Sequence, residues 1–90
     1  MAEQLKMAPL SSEYVRQLAI RYLLPHQPLD YKLEVLPDGI KNEDDWWYVL
    51  VRPDRENVRA YDYYGRLAEA EISLRDEQNV NVLLVPVLPE

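Results

Sequence analysis

The sequence contains no cysteine, two glycines and a single histidine. Without cysteine the chain can form no disulfide, no thiolate zinc site and no cysteine nucleophile. Gly39 and Gly65 are too far apart to build the glycine-rich loops that cradle phosphates, or the GxxG loop that RNA-binding KH domains require. These absences exclude most recognisable enzyme and nucleotide-binding motifs.

Positive charge is also scarce, with 10 basic against 16 acidic residues and a net charge of −6. This balance disfavours binding to a phosphate backbone, because that affinity comes from Lys and Arg displacing counterions. The sequence has no apolar run of about 18 residues, and residues 1–10 mix Glu3, Gln4 and Lys6 among small apolar groups, unlike a secretory signal. We therefore expect a cytoplasmic protein that contacts neither nucleic acid nor a membrane directly.

What is present describes one globular domain: 90 residues, 48% hydrophobic and 29% charged. Residues 1–10 show no period and contain Pro9, so we interpret them as a flexible lead-in to a single domain over 11–90. A chain of this size buries roughly 60 to 65% of its unfolded surface, which leaves a marginal core. Oligomerisation, for example as a homodimer, would add stability.

The first predicted element is a helix with Ser12 as its N-cap and Pro25 as its end. Its apolar face at helical spacing comprises Tyr14, Val15, Leu18, Ala19, Tyr22 and Leu23. Ile20 and Leu24 lie on the other side and would be bare if only one face were buried, which indicates a second contact.

Three strands are predicted from shorter patterns. Residues 31–35 alternate between apolar and charged, and we expect the turn 37–39 to end this strand and 40–45 to form an acidic loop. Residues 46–52 are apolar on both faces, which is typical of an interior strand. The β-branched run 80–88 contains Pro86 near its end and therefore predicts a strand whose final residues lie at a sheet edge or beyond pairing.

Over residues 57–78 the apolar residues fit both the spacing of a helix and the alternation of a strand. A helix would place Ala60, Tyr64, Leu67, Ala68, Glu71 and Leu74 on one face, whereas a strand over 68–75 would alternate and lead into a hairpin loop at 76–79. Helix propensity and length favour the helix, in which Glu71 can pair with Arg75. The predicted fold is α+β, ordered helix, strand, strand, helix, strand, with two helices on one face of a three-stranded sheet.

Candidates for catalysis and metal binding are few. His26 could act as a general base toward Ser11, Ser12 or Ser73, but a loop histidine beside two prolines is the simpler interpretation. The acidic run at 43–45 offers oxygen ligands without the glycine and closing Glu of a calcium loop, so we interpret it as solvated. We expect no metal, no cofactor and no enzymatic activity. An enzyme using His26 is the weakest hypothesis.

Aromatic residues provide the best candidates for a binding surface. Adjacent Trp46 and Trp47 must point to opposite faces of the sheet. If one of these faces is uncovered, the side chains on it form an exposed apolar stripe. That stripe would be either Trp47, Val49 and Val51 or Trp46, Tyr48 and Leu50. A second cluster surrounds Asp62, and the predicted interface residues are Trp46, Trp47, Tyr48, Tyr61, Tyr63 and Tyr64.

These features predict a small acidic protein–protein interaction module, such as an adaptor, regulator or inhibitor, whose partner is another protein or a second copy of itself. The alternative is an acidic mimic of nucleic acid that inhibits a DNA-binding protein or nuclease. A net charge of −6 is modest for a mimic, which should present a regular stripe of carboxylates.

Overall fold

Two helices pack on one face of a three-stranded sheet in the computed structural model, which describes residues 11–59 and 61–87. The elements in chain order are α1 (Ser12–Leu23), a 3₁₀ turn (Leu24–His26), β1 (Leu33–Glu43), β2 (Trp46–Pro53), α2 (Tyr61–Gln78) and β3 (Val82–Pro86). The predicted α+β class and element order are confirmed. The predicted flexible lead-in at 1–10 lies outside the described residues.

Helix α1 begins one residue earlier than predicted, because its N-cap is Ser11 rather than Ser12. The Ser11 hydroxyl oxygen accepts a hydrogen bond from the Tyr14 backbone N–H at 3.0 Å, which satisfies a donor at the open end of the helix. The buried face comprises Val15, Leu18, Ala19 and Leu23. Ile20 and Leu24 are exposed, as expected if α1 buries one face only, and neither packs against the core of the described residues.

Helix α2 confirms the helical interpretation of residues 61–78, and the strand alternative is wrong. Asn79 follows it in a left-handed conformation, with φ of 56°, and donates its N–H to the Arg75 carbonyl at 2.9 Å. The predicted apolar face of this helix is wrong, because the buried face is rotated about the helix axis and leaves Tyr64 and Ala68 exposed. The buried residues are instead Tyr63, Leu67, Ala70 and Leu74. Ala60, also assigned to that face, lies outside the described residues.

The sheet has the order β1-β2-β3, so β2 is the interior strand, as predicted, and β3 lies at an edge of the sheet. Strands β1 and β2 are antiparallel and are joined by a two-residue turn at Asp44 and Asp45. Asp44 has φ of 55°, a conformation that Asp tolerates better than most residues. Strands β2 and β3 are parallel, and α2 forms the crossover between them.

The predicted turn at 37–39 and the predicted loop at 40–45 are both wrong. Strand β1 continues to Glu43, and its pairing with β2 shifts between Val35 and Ile40, which is a bulge. A Cβ atom at Gly39 would lie 2.8 Å from the Leu50 Cβ and 3.1 Å from the Leu36 Cβ. Glycine is therefore required here for close approach of the chain to Leu50, and the turn-like residues form a bulge instead of a reversal.

The core lies between the helices and the sheet, and its largest fully buried side chain is Tyr63. The Tyr31 and Tyr63 rings meet edge to face, with centroids 6.5 Å apart. Burial raises the pKa of both phenols, and for Tyr31 the nearby Asp62 carboxylate raises it further.

No helix within the described residues is long and apolar enough to cross a membrane.

Candidate protein interface

The two faces of the sheet differ in what covers them. Along β2 and β3, every second residue points toward the helices, and these residues are buried: Val49, Val51, Val82 and Leu84. The residues between them point to the other side. That side carries Trp46, Tyr48, Leu50, Leu83 and Val85, and these five residues define the open face.

Strand pairing makes the open face continuous. Tyr48 lies opposite Leu83, and Leu50 lies opposite Val85, so apolar side chains from two strands form one patch. All five residues of the open face are only partly buried, and none of them belongs to the core between the helices and the sheet or packs against it. Leu36, in the β1 bulge, contributes a further apolar group beside Leu50.

Charged pairs border this patch. On one side the Arg52 Nε lies 3.8 Å from a Glu34 carboxylate oxygen, and these two residues are opposite each other in the β1–β2 pairing. Further along β1, next to Tyr48 and Trp46, the Lys41 Nζ lies 3.7 Å from a Glu43 oxygen. An apolar centre with a charged, solvated rim is the usual anatomy of a protein–protein contact.

Trp46 lies at the end of the open face and is connected to α2. The Arg75 guanidinium lies 5.7 Å from the centre of the Trp46 ring, within the range of a cation–π contact. Arg75 also pairs with Glu71 at 3.4 Å, as the spacing of four residues predicted. The indole ring is therefore held by a cation at the start of β2.

Of the two stripes that the alternation allowed, the one on the uncovered side contains Trp46, Tyr48 and Leu50. Trp47 points the other way and packs against the core, beside the fully buried Val49 and Val51. The core occupies the second stripe, so among the described residues the first stripe lies on the outer side of the sheet.

The tyrosine cluster lies in the helical layer, away from the open face. Tyr63 is completely buried, whereas Tyr61 is 65% and Tyr64 46% exposed. The Tyr61 hydroxyl is bonded to Arg59, whose guanidinium also lies 5.7 Å from the Tyr61 ring centre. The structure thus does not bring the six predicted interface residues together, and places only Trp46 and Tyr48 on the open face.

Sequence reasoning missed Leu83 and Val85 as surface candidates. The signal for them was present, because β3 is apolar at successive positions, as β2 is. What the sequence lacked was the pairing of β3 with β2, which places these residues beside Tyr48 and Leu50.

The candidate catalytic residues are only partly assembled. The His26 Nδ1 lies 3.4 Å from a Glu69 carboxylate oxygen, and Arg66 donates to the His26 carbonyl at 3.0 Å. Ser73 borders the same shallow depression as His26, but no hydrogen bond joins them within the described chain. Ser11 and Ser12 lie at the opposite end of α1, about 18 Å away for a helix of this length.

Metal-binding geometry is not found among the described residues either, since they contain no group of three His, Cys, Asp or Glu side chains that could hold an ion. Comparisons with protein-family models, with curated proteins and with solved structures found no match. The case for a function therefore depends on the geometry of the surface.

Proposed function

We propose that this protein is a small acidic protein–protein interaction module that binds a partner protein through the open face. The observation that carries the proposal is an apolar patch on the side of the sheet opposite the helical core, which no helix or strand of residues 11–59 and 61–87 covers. Burying an apolar patch of this kind against another protein removes it from water, which is the main favourable term in association.

The composition of the patch supports this function. Trp46 and Tyr48 are residue types enriched among the contacts that contribute most to protein–protein affinity. They lie on a sheet, so their positions are held by strand pairing rather than by a loop. A surface that is already ordered loses less conformational entropy when it binds.

The charge of the chain favours a different protein over a second copy. Each chain carries a net charge of −6, so two copies repel one another, whereas a partner with basic groups is attracted. The rim of the patch is neutral in sum, because Glu34 and Glu43 pair with Arg52 and Lys41, so this preference comes from the charge of the whole chain. The expected partner therefore has an apolar contact surface and a net positive charge.

The nucleic-acid mimic is less well supported, because bases interrupt the acidic surface. Among the described residues, acidic and basic side chains form four ion pairs, namely Arg16–Glu13, Lys41–Glu43, Arg52–Glu34 and Arg75–Glu71. An effective mimic of a phosphate backbone needs a stripe of carboxylates without such neutralisation.

We also propose that the protein has no enzymatic activity and acts in the cytoplasm. The composition supports the first point, because the one histidine is paired with the exposed Glu69 and cysteine is lacking. Both statements stay predictions, and an activity that His26→Ala abolishes would contradict the first.

The test combines capture with reconstitution. A partner captured by the wild-type chain from native lysate is purified, and its Kd is measured for wild type, for Tyr48→Ser/Leu83→Ser and for Ile72→Ser. Ile72 is a matched control, since it is apolar and 51% exposed on the outer side of α2. We expect the double variant to weaken binding about 30-fold or more, the effect of losing a dominant contact, and the control to bind like wild type.

Three results would contradict the proposal. The double variant could bind as tightly as wild type, or the Ile72 variant could bind as weakly as the double variant. Alternatively, the wild-type chain could dimerise in sedimentation experiments with a contact that Tyr48→Ser/Leu83→Ser disrupts. That result would assign the open face to self-association.

A further inference from the structure

The two outer edges of the sheet carry side chains in the positions that an additional strand would need. An edge strand presents unpaired N–H and C=O groups, and these groups are a ready template for another chain. Strands β1 and β3 are the edges here. In each strand, a side chain from outside the sheet is bonded to the outward-facing backbone.

The outward-facing residues of β3 follow from its bonds to β2. Trp47 donates its N–H to the Asn81 carbonyl and Val87 donates to the Val51 carbonyl, both at 2.8 Å. Because backbone groups alternate sides along a strand, Val82, Leu84 and Pro86 direct theirs away from β2. The Leu84 N–H donates to a Glu71 carboxylate oxygen at 2.9 Å, and Pro86 has no N–H to offer.

The Glu71 carboxylate is fixed by its neighbours. Its second oxygen lies 3.4 Å from an Arg75 nitrogen, and the Glu71 side chain is only 18% exposed. Arg75 in turn contacts the Trp46 ring. A strand approaching β3 would have to displace a charged acceptor that is already paired on both oxygens, which costs more than displacing water.

Strand β1 shows the same arrangement with an uncharged group. The Gln27 side-chain oxygen accepts the Leu33 N–H at 2.8 Å, and its nitrogen donates to the Leu33 carbonyl at 3.0 Å. One side-chain amide thus imitates the pair of bonds that an antiparallel strand would make. Further along, the bulge between Val35 and Ile40 contains Pro37, which interrupts the edge.

We infer that Glu71 and Gln27 block strand addition at Leu84 in β3 and at Leu33 in β1, so that these parts of the two edges do not take up another strand. The inference does not depend on the proposed function, because it concerns the isolated protein and requires no partner. It separates two ways in which a sheet protein can associate, by extending its sheet or by covering it.

The test compares Glu71→Met, which keeps the size and helix propensity of the side chain but removes the acceptor, with Glu71→Gln, which keeps an acceptor oxygen. Glu69→Met is the matched control, since Glu69 lies on the same helix and is 72% exposed. Sedimentation velocity over a concentration series measures self-association, and NMR hydrogen exchange measures protection of the Leu84 amide.

We expect Glu71→Met to accelerate Leu84 exchange in the monomer by about tenfold or more, the size of a lost charge-assisted hydrogen bond, and to self-associate more tightly than wild type. Glu71→Gln and Glu69→Met should behave like wild type. Gln27→Met should have the same effect at the Leu33 amide. Glu71→Ala removes the same acceptor and serves if the Met variant does not fold.

Several results would overturn the inference. Leu84 exchange that stays within about twofold of wild type in Glu71→Met would show that the carboxylate does not protect this amide. Faster exchange without increased association would show that the contact does not block the edge. Association of Glu71→Met that Tyr48→Ser abolishes would place the new contact on the open face.

Discussion

Tyr48 and Val49 are neighbours in the central strand, yet they belong to different environments. Val49 is completely buried beneath the helices, whereas Tyr48 is part of the open face. Both are apolar, so a hydrophobic side chain in this strand has two distinct causes. On one side it holds the fold together, and on the other it provides a surface for a partner.

The largest change in stability should come from placing a charged side chain at Val49, and it should far exceed the change caused by the same charge at Tyr48. Val49→Asp buries an unpaired carboxylate at a fully buried position and should cost more than about 4 kcal/mol, enough to unfold so small a domain. Tyr48→Asp should cost only about 1 to 2 kcal/mol, since its carboxylate reaches water. Urea denaturation followed by circular dichroism measures both. Equal losses would mean that the two sides are equally buried.

A smaller effect is expected at Gly39, where the open side is tightly packed. Gly39→Ala places a methyl group 2.8 Å from the Leu50 Cβ and should destabilise the fold by about 1 to 3 kcal/mol. Combining it with Leu50→Ala, which keeps the Cβ and removes the Cδ1 contact at 3.0 Å, should recover part of the loss. Additive losses in a double-mutant cycle would show that the two residues do not interact.

Gly65 provides the opposite case on the exposed side of α2. A Cβ at this position meets nothing within 4 Å, and the residue is helical. Gly65→Ala should therefore stabilise the protein by about 0.5 to 1 kcal/mol, because alanine loses less backbone entropy in a helix. Thermal denaturation measures the change. A lower Tm would contradict the helical environment described for this residue.

The smallest effect concerns the phenols on the helical side. Burial raises the pKa of Tyr31 and Tyr63, so the folded state favours their neutral forms. This contribution to stability is complete below the ordinary tyrosine pKa of about 10 and is lost as the pH rises through the higher folded-state pKa. Urea midpoints should therefore fall above about pH 10, and Tyr31→Phe/Tyr63→Phe should reduce that fall. An unchanged fall in the double variant would contradict this origin.

The helices and the interior strand were predictable because their patterns are local. Helix α1 follows from the spacing of Val15, Leu18 and Leu23, and β2 follows from an apolar run that is too short for a buried helix. Even the ion pair between Glu71 and Arg75 follows from a spacing of four residues. Each of these features is decided by residues within a few positions of one another.

The features that define the candidate surface depend on contacts between distant segments. Side chains alternate between the two faces of a strand, so Trp46 and Trp47 must lie on opposite faces of the sheet. This alternation does not reveal which of the two faces the helices cover. The turn prediction at 37–39 is wrong because Gly39 is needed for close packing against Leu50 and not for a chain reversal. Leu50 is 11 residues away in the sequence, so the local pattern does not show this contact. Likewise, the bond from Leu84 to Glu71 becomes visible only when β3 returns beside α2.

The two pairings of β2 differ in the length of chain that each must close, and this difference sets an order of folding. The turn at Asp44 and Asp45 brings β1 and β2 together at little entropic cost, whereas β3 can join β2 only after α2 has crossed the sheet. We expect the β1–β2 hairpin to acquire amide protection first in pulse-labelling experiments, with the Trp47 and Val87 amides protected later. During that interval the edge of β2 that later pairs with β3 is unpaired and therefore open to aggregation, and the speed at which α2 docks determines how long that interval lasts.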